Sequence, residues 1–182
     1  MIEFKFTFML TPQEYFVERN GNFPGSKFPV LQYEQALSLP KFFPGRFVKS
    51  LFQKHHWSNN WRNGIYTFHH YHSISHEALA VIKGHAMILL GGENGQKVLL
   101  KKNDVIVIPA GVAHMNLGEK TDIVCIGGYP WGRDYDMNYG KEEEHPLVDD
   151  NIRKVPLPDT GPLYGSDDPL ISIWKSTCAV QA

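Results

Sequence analysis

The chain has 182 residues, 42% of them hydrophobic and 20% charged, which suits one globular domain and excludes a disordered chain. A formal net charge of −1 leaves no basic field to gather phosphates, so nucleic acid is not an expected partner. No run of about 18 apolar residues occurs, and Glu3 and Lys5 interrupt the first apolar stretch, so neither a membrane span nor a secretory signal is expected. Cytoplasm is the expected location. Cys125 and Cys178 have no second thiol nearby, which excludes a zinc ribbon or a CxxC redox site. Cys125 sits in an apolar run and reads as a buried small hydrophobe, and a cytosolic location argues against pairing it with Cys178.

The first 60 or so residues carry Pro12, Pro24, Pro29, Pro40 and Pro44 and read as an edge strand at Phe4, Phe6 and Phe8, a wrapping arm and one helix. The helix is predicted at 46–55, where Phe47, Val48, Leu51 and Phe52 share one side and Arg46, Lys49 and Gln53 the other. From Gly64 the pattern changes to short strands at 65–72, 77–83, 86–90, 96–101, 105–108 and 123–129, separated by Gly and Asn turns. Such even spacing predicts an all-β sandwich or barrel. Asn94-Gly95 predicts a two-residue hairpin with both turn residues at positive φ. The strands at 105–108 and 123–126 are apolar on both faces, so each needs cover inside the barrel and outside it. The arm, the tail or a second subunit could supply it, and a homodimer is the expectation. After Tyr129 the prolines make an irregular tail, whose last apolar cluster at 170–174 adds a strand or packs on the barrel. The acidic run Glu142–Glu144 reads as a solvated loop. One domain then divides into an arm and helix at 1–61, a barrel core at 62–130, and a loop and tail at 131–182.

Five of the nine histidines, His69, His70, His72, His76 and His85, fall within one short stretch. The side-chain period of a strand is two, so His70 and His72 point to one face and His69 and Tyr71 to the other. Two such imidazoles can hold one ion if other strands add ligands. Glu77, just after a turn, can return a carboxylate oxygen, and His114, after Pro109-Ala-Gly111, is a natural fourth donor. His76 competes with Glu77 if the turn shifts by one residue. Without an ion the same side chains would be buried and hydrogen-bonded, with Glu77 in a salt bridge. His69 and His85 read as surface residues or as partners that orient the ligand rings. Tyr66 and Phe68 share the parity of His70 and could line the barrel mouth, although Tyr66 could equally be core.

Gly64, His70, His72, Glu77 and Gly84 stand in one ordered pattern whose chance occurrence is on the order of 10⁻⁴. The pattern resembles the first motif of the cupin superfamily, G-x5-H-x-H-x3,4-E-x6-G, without a departure. The second motif, G-x5-P-x-G-x2-H-x3-N, is matched in part by Pro109, Gly111 and His114, with Asn103 in place of its Gly and Gly118 in place of its Asn. Asn116, one strand period from His114, could face the interior instead. The resemblance covers about 64–129 and implies a small double-stranded β-helix, or jelly-roll, barrel of the RmlC-like kind, from a little-characterised bacterial group. It also implies one divalent transition metal (Fe, Mn, Ni, Co or Zn) held by His70, His72, Glu77 and His114 with positions left open. Tyr66, His76, His85 and Asn116 are candidate supporting residues around it.

Other chemistry fails on inspection. Ser75, His76 and Glu77 are consecutive and diverge, so they form no nucleophilic triad. Asp134, Asp136 and Asn138 imitate a calcium loop, but Tyr139 and His145 stand where Gly and Glu are required, so 131–140 reads as a surface loop or mouth lid. The glycines at 91, 92 and 95 belong to a hairpin and cradle no phosphate. The expected function is a metal-dependent enzyme on a small organic molecule, of dioxygenase or isomerase type. The alternative is a non-catalytic cupin that binds a sugar or organic acid.

Overall fold

The computed structural model describes residues 9–179, so the strand expected at Phe4, Phe6 and Phe8 lies outside the described residues. Eight strands and three helices follow in the order β1 (Gln13–Tyr15), β2 (Val30–Tyr33), α1 (Pro44–Lys54), β3 (Trp57–Asn63), β4 (Glu77–Leu90), β5 (Gln96–Lys101), β6 (Val105–Ile108), β7 (His114–Asn116), β8 (Ile123–Pro130), α2 (Leu147–Lys154) and α3 (Pro169–Ala179). The strands pair antiparallel in the order β1-β2-β6-β4-β8-β3, and β5 and β7 pair with the far half of β4. This is the all-β jelly-roll barrel that the sequence resemblance implies, with helices laid against one side.

The two strands predicted at 77–83 and 86–90 are one. β4 runs unbroken because Gly84, at φ +76°, carries the bend that follows the register shift between Val81 and Lys83. A Cβ at Gly84 would stand 1.9 Å from the Asp122 carbonyl oxygen, and one at Gly64 would stand 1.9 Å from that of Lys120. Both motif glycines are therefore required by close backbone approach. Asn103, at φ 80°, occupies the left-handed position where the second motif has Gly, which Asn tolerates better than most residues.

Strand alternation separates two cores. Ala78, Ala80, Ile82, Val105, Val107 and Ile126 face outward onto Val48, Leu51 and Phe52 of α1 and Trp174 of α3. Leu79, Val81, Ile106, Ile108, Ile123 and Cys125 face inward with Ile88, Leu90 and Leu100. The strands apolar on both faces are thus covered by this chain's own helices, which removes the ground on which a homodimer was expected. The tail is tied down through Trp174, whose indole N–H donates to the Pro29 carbonyl at 3.0 Å, and through Asp168, which accepts the Tyr33 hydroxyl at 2.5 Å.

Several expectations are corrected. The segment 65–72 is not a strand: β3 lies earlier, and from Gly64 the chain is held by isolated bridges, His70 to His114 and Tyr71 to Asn138. The sheet also begins inside the arm, since β2 pairs with β6 and β3 with β8, so a barrel boundary at 62 cuts through it. The turn after β4 is a five-residue loop closed by Leu90 opposite Gln96, with Gly91, Gly92 and Asn94 at positive φ and Gly95 not. The segment 170–174 adds no strand but packs on the barrel as part of the helix α3, and with α2 it makes the tail ordered rather than irregular. Of the acidic run, Glu144 is structural: its carboxylate accepts the Tyr71 hydroxyl at 2.9 Å and two backbone N–H groups. The predicted helix is found, starting two residues earlier and ending one residue earlier than expected.

Trp174 is fully buried and stacks on Phe28 at 5.1 Å. Trp174→Ala is expected to lower stability by about 3–5 kcal/mol through the lost burial and the cavity left behind. The urea midpoint should fall accordingly, and an unchanged midpoint would show that α3 does not cover the core.

Candidate metal centre

The barrel mouth opens into a cavity of about 180 Å³ lined by His70, His72, Glu77 and His114, with Trp61, Arg62, Tyr66, Tyr129, Tyr135 and Met137 among the other walls. Each of the four comes from a different local cause. Glu77 opens β4 opposite Ile108 of β6, and inward parity, shared with Leu79, aims it at the cavity. His114 opens β7 and holds His70 across an isolated bridge, with backbone bonds of 2.9 and 3.3 Å. His72 is fixed through its carbonyl, which accepts the Gly111 N–H at 2.9 Å. The histidines converge without the regular strand that the sequence predicted for them.

All three rings spend Nδ1 on a backbone carbonyl: His70 on Phe68 at 3.2 Å, His72 on Asp136 at 2.5 Å and His114 on Val112 at 3.3 Å. A carbonyl only accepts, so each Nδ1 carries a hydrogen, and in the neutral ring Nε2 is left with its lone pair. His72 Nε2 lies 3.5 Å from Glu77 Oε1 and His114 Nε2 lies 3.4 Å from Glu77 Oε2. These separations exceed the roughly 2.7–2.9 Å of a charge-assisted hydrogen bond. They are close to the roughly 3.4 Å that two donors keep when each is about 2.1 Å from one ion at a tetrahedral angle. Among the described residues no group of three or more His, Cys, Asp or Glu side chains is placed so that it could hold a metal ion as it stands. His70, whose ring packs on His114 at 4.2 Å, is the member without a contact to Glu77. In ligand chemistry three imidazoles and a carboxylate suit a transition ion.

Electrostatics follow from burial. For Glu77, burial alone raises the carboxyl, but attraction to His72 and His114 outweighs it and holds the group well below its ordinary value. His72 is also pulled down by burial, yet Glu77 outweighs this and raises it. His70 is lowered to about 3 by burial and by the neighbouring His114. Tyr129 donates its hydroxyl to Glu77 Oε1 at 2.8 Å and accepts the Trp61 indole N–H at 2.8 Å. Burial and the Glu77 charge push this phenol up, so it keeps its proton.

The supporting candidates divide. Tyr66 lines the cavity, stacked on Phe68 at 4.9 Å and edge-on to His70 at 5.1 Å. His76 has the opposite parity to Glu77 and points outward against Trp174 at 4.7 Å, so it does not take the ligand place. His85 is exposed on β4 opposite Lys101, away from the site. Asn116 is buried but engaged in its own turn, donating to the Glu119 carbonyl and accepting the Gly118 N–H. His69 packs on Phe23 at 5.1 Å outside the cavity. Sequence reasoning missed Trp61, Tyr129, Tyr135 and Asp136. Tyr129 and Trp61 could have been found from their place on paired strands, β8 and β3, at the mouth. No local signal gives Asp136 its role, because its backbone oxygen meets His72 and its carboxylate meets Ser73, both more than 60 residues away.

A sequence model of the cupin family, described as Cupin, matches residues 57–129. The Bacillus subtilis (strain 168) protein YjlB, described as uncharacterised, is 36% identical over 163 residues, covering 89% of this chain and 96% of YjlB. The chain belongs to the cupin family. Among solved structures, acireductone dioxygenase from Bacillus anthracis, with a cadmium ion in its active centre, aligns with a TM-score of 0.38 at 14% identity, covering 52% of this chain and 64% of that one. A Klebsiella pneumoniae protein with a double-stranded β-helix domain aligns at 0.34 and 17% identity, covering 72% and 81%.

The loop 131–140 reaches the site through Asp136, whose carboxylate accepts the Ser73 N–H at 2.6 Å, the Ser73 hydroxyl at 2.5 Å and the Asn138 amide at 2.8 Å. Asp136→Ala releases this anchor and with it the carbonyl that orients His72. Zinc affinity measured by chelator competition is expected to fall about 10–100-fold; equal affinity in a folded variant would reject the role. A second expectation concerns pH. Native His70 and His76 both stay neutral down to about pH 3, because burial lowers them, whereas in the unfolded chain they protonate near the ordinary 6.5. As pH falls below 6.5 the unfolded state takes up these protons and stability is lost. Glu77 acts in the same sense at lower pH, while raised His72 acts oppositely and is outnumbered. The urea midpoint of metal-free protein should therefore be lower at about pH 5 than at pH 7.

Proposed function

We propose that this cupin is a metal-dependent enzyme acting on a small organic molecule, of dioxygenase or isomerase type, with His70, His72, Glu77 and His114 holding one divalent transition ion. The observation that carries the reading is the shared orientation of three imidazoles, each with Nδ1 committed to a backbone carbonyl and Nε2 left for a ligand bond. Iron, manganese, nickel, cobalt and zinc all suit three imidazoles and a carboxylate. A bound ion supplies Lewis acidity toward a carbonyl or enol oxygen, with redox capacity if it is iron.

The chain's own residues do the remainder. Tyr129 keeps its proton on the hydroxyl and donates it to Glu77 Oε1, which holds the carboxylate with Oε1 toward His72 and Oε2 toward His114. Tyr135 stacks on Tyr129 at 4.7 Å and meets the His72 ring at 5.0 Å, narrowing the mouth and limiting water. Arg62 supplies the cavity's one cationic side chain among the described lining and would orient an anionic or carbonyl-bearing molecule. A cavity of about 180 Å³ limits the substrate to a small one.

The second reading, a cupin that binds a small sugar or organic acid without catalysis, is favoured by one feature. Beyond the four proposed ligands, no further carboxylate or imidazole is among the cavity's described lining, so no separate general base stands ready. Unpaired Cys125 and Cys178 fit a cytoplasmic home for either reading.

Untagged protein should carry near-stoichiometric transition metal by elemental analysis, and the His70→Ala, His114→Ala variant should lose it. Equal, substoichiometric metal in both would reject the metal reading. Oxygen uptake by the iron-loaded protein with small carbonyl or enol acids then separates a dioxygenase from the binding module.

A further inference from the structure

A second cavity, of about 870 Å³, lies on the outer side of β4 between the N-terminal arm, α2 and the end of α3. Its volume falls within the roughly 300–1,000 Å³ of small-molecule sites. His76 forms part of its wall, back to back with Glu77, because consecutive strand residues face opposite sides. The His76 ring is buried, and its Nδ1 accepts the Ala110 N–H at 3.0 Å. Because Nδ1 is an acceptor, the ring carries its hydrogen on Nε2. That N–H has no hydrogen-bond partner. The Pro156 carbonyl approaches the ring without reaching the geometry of a full hydrogen bond, and its neighbours Val155 and Leu157 line the same cavity. A buried donor without an acceptor is destabilising, and in a native protein it calls for a partner.

The wall leads from this donor to a cation. The Phe28 ring lies 6.1 Å from His76, and the Lys27 ammonium lies 5.0 Å over Phe28 at the rim. Other rim charges are largely occupied: Arg19 pairs with Asp149 and Arg153 with Asp150, while Glu18 stands at the edge. Lys27 has no carboxylate partner among the described residues. Ile152, Val155 and Leu157 make the intervening surface apolar.

We infer that this cavity is a second ligand site, separate from the proposed metal centre, for an amphipathic organic acid. Its carboxylate pairs with Lys27, its apolar body lies along Phe28, and a carbonyl or hydroxyl oxygen accepts the His76 Nε2 hydrogen. The inference does not rest on the metal reading, since none of the four proposed ligands lines this cavity.

The test uses para-acetylbenzoate as probe, with para-isopropylbenzoate lacking the carbonyl and acetophenone lacking the carboxylate, titrated calorimetrically into the full chain. Wild type should prefer para-acetylbenzoate over each comparator by on the order of tenfold. Lys27→Ala should erase the preference over acetophenone. His76→Phe should erase the preference over para-isopropylbenzoate, and His76→Gln, which keeps a donor, should retain part of it. The last variant decides the matter if His76→Phe fails to fold. Probe binding should be unchanged in His114→Ala. Absence of millimolar binding to wild type, a carbonyl preference that survives His76→Phe, or binding lost in His114→Ala would each overturn the inference, the last by placing the probe in the other cavity.

Discussion

The structure depends on one constraint: β4 is a single continuous strand shared by four others. Its first half pairs with β6 and β8 and its far half with β5 and β7, so neither sheet can shift without the other. Because side chains alternate strictly along it, the same strand supplies Leu79 and Val81 to the inner core and Ala78, Ala80 and Ile82 to the outer one. A slip of one residue would exchange these sets and bring His76 inward in place of Glu77. The register that packs the core is the register that selects the carboxylate.

The candidate centre is held less by neighbouring side chains than by backbone. Carbonyls from residues 68, 112 and 136 set the three imidazoles, and they come from segments far apart in the chain. Glu77 is buried as a charge and is tolerated because two histidines and the Tyr129 hydroxyl surround it. Removing one of those partners would leave a buried charge underpaired, which costs more than the partner's own hydrogen bond contributes. The loop after β8 therefore belongs to the site. It carries the Asp136 carbonyl and the Tyr135 ring, and it is bonded back through Ser73 to Asn151 of α2.

Helices and loops decide what happens outside the barrel. α1 and α3 take the positions that a second subunit could have filled, and Trp174 anchors the cover by a single indole hydrogen bond to the arm. The same cover leaves space between arm and α2, so that the outer face of β4 borders a cavity while its inner face borders the candidate centre.

Local pattern was enough for the features that are local. The apolar strands at 105–108 and 123–129, the amphipathic helix, the motif glycines 64 and 84 and the set His70, His72, Glu77 and His114 are legible because period and spacing reflect burial and backbone approach directly. The sequence pointed to the histidines that line the inner cavity through a strand that does not form. Their convergence instead comes from a bridge to His114 more than 40 residues away. The helix at 169–179 was hidden because Leu170, Ile171, Ile173 and Trp174 form a short apolar run that suits strand or helix equally, and the surface it covers settles the choice. Composition, parity and motif spacing alone determined the barrel class and the chemical character of its inner site. Tertiary structure decided that His76 packs on Trp174, that the Asp136 carbonyl aims His72 and what covers the outer sheet, because each of these is a contact between segments distant in the chain.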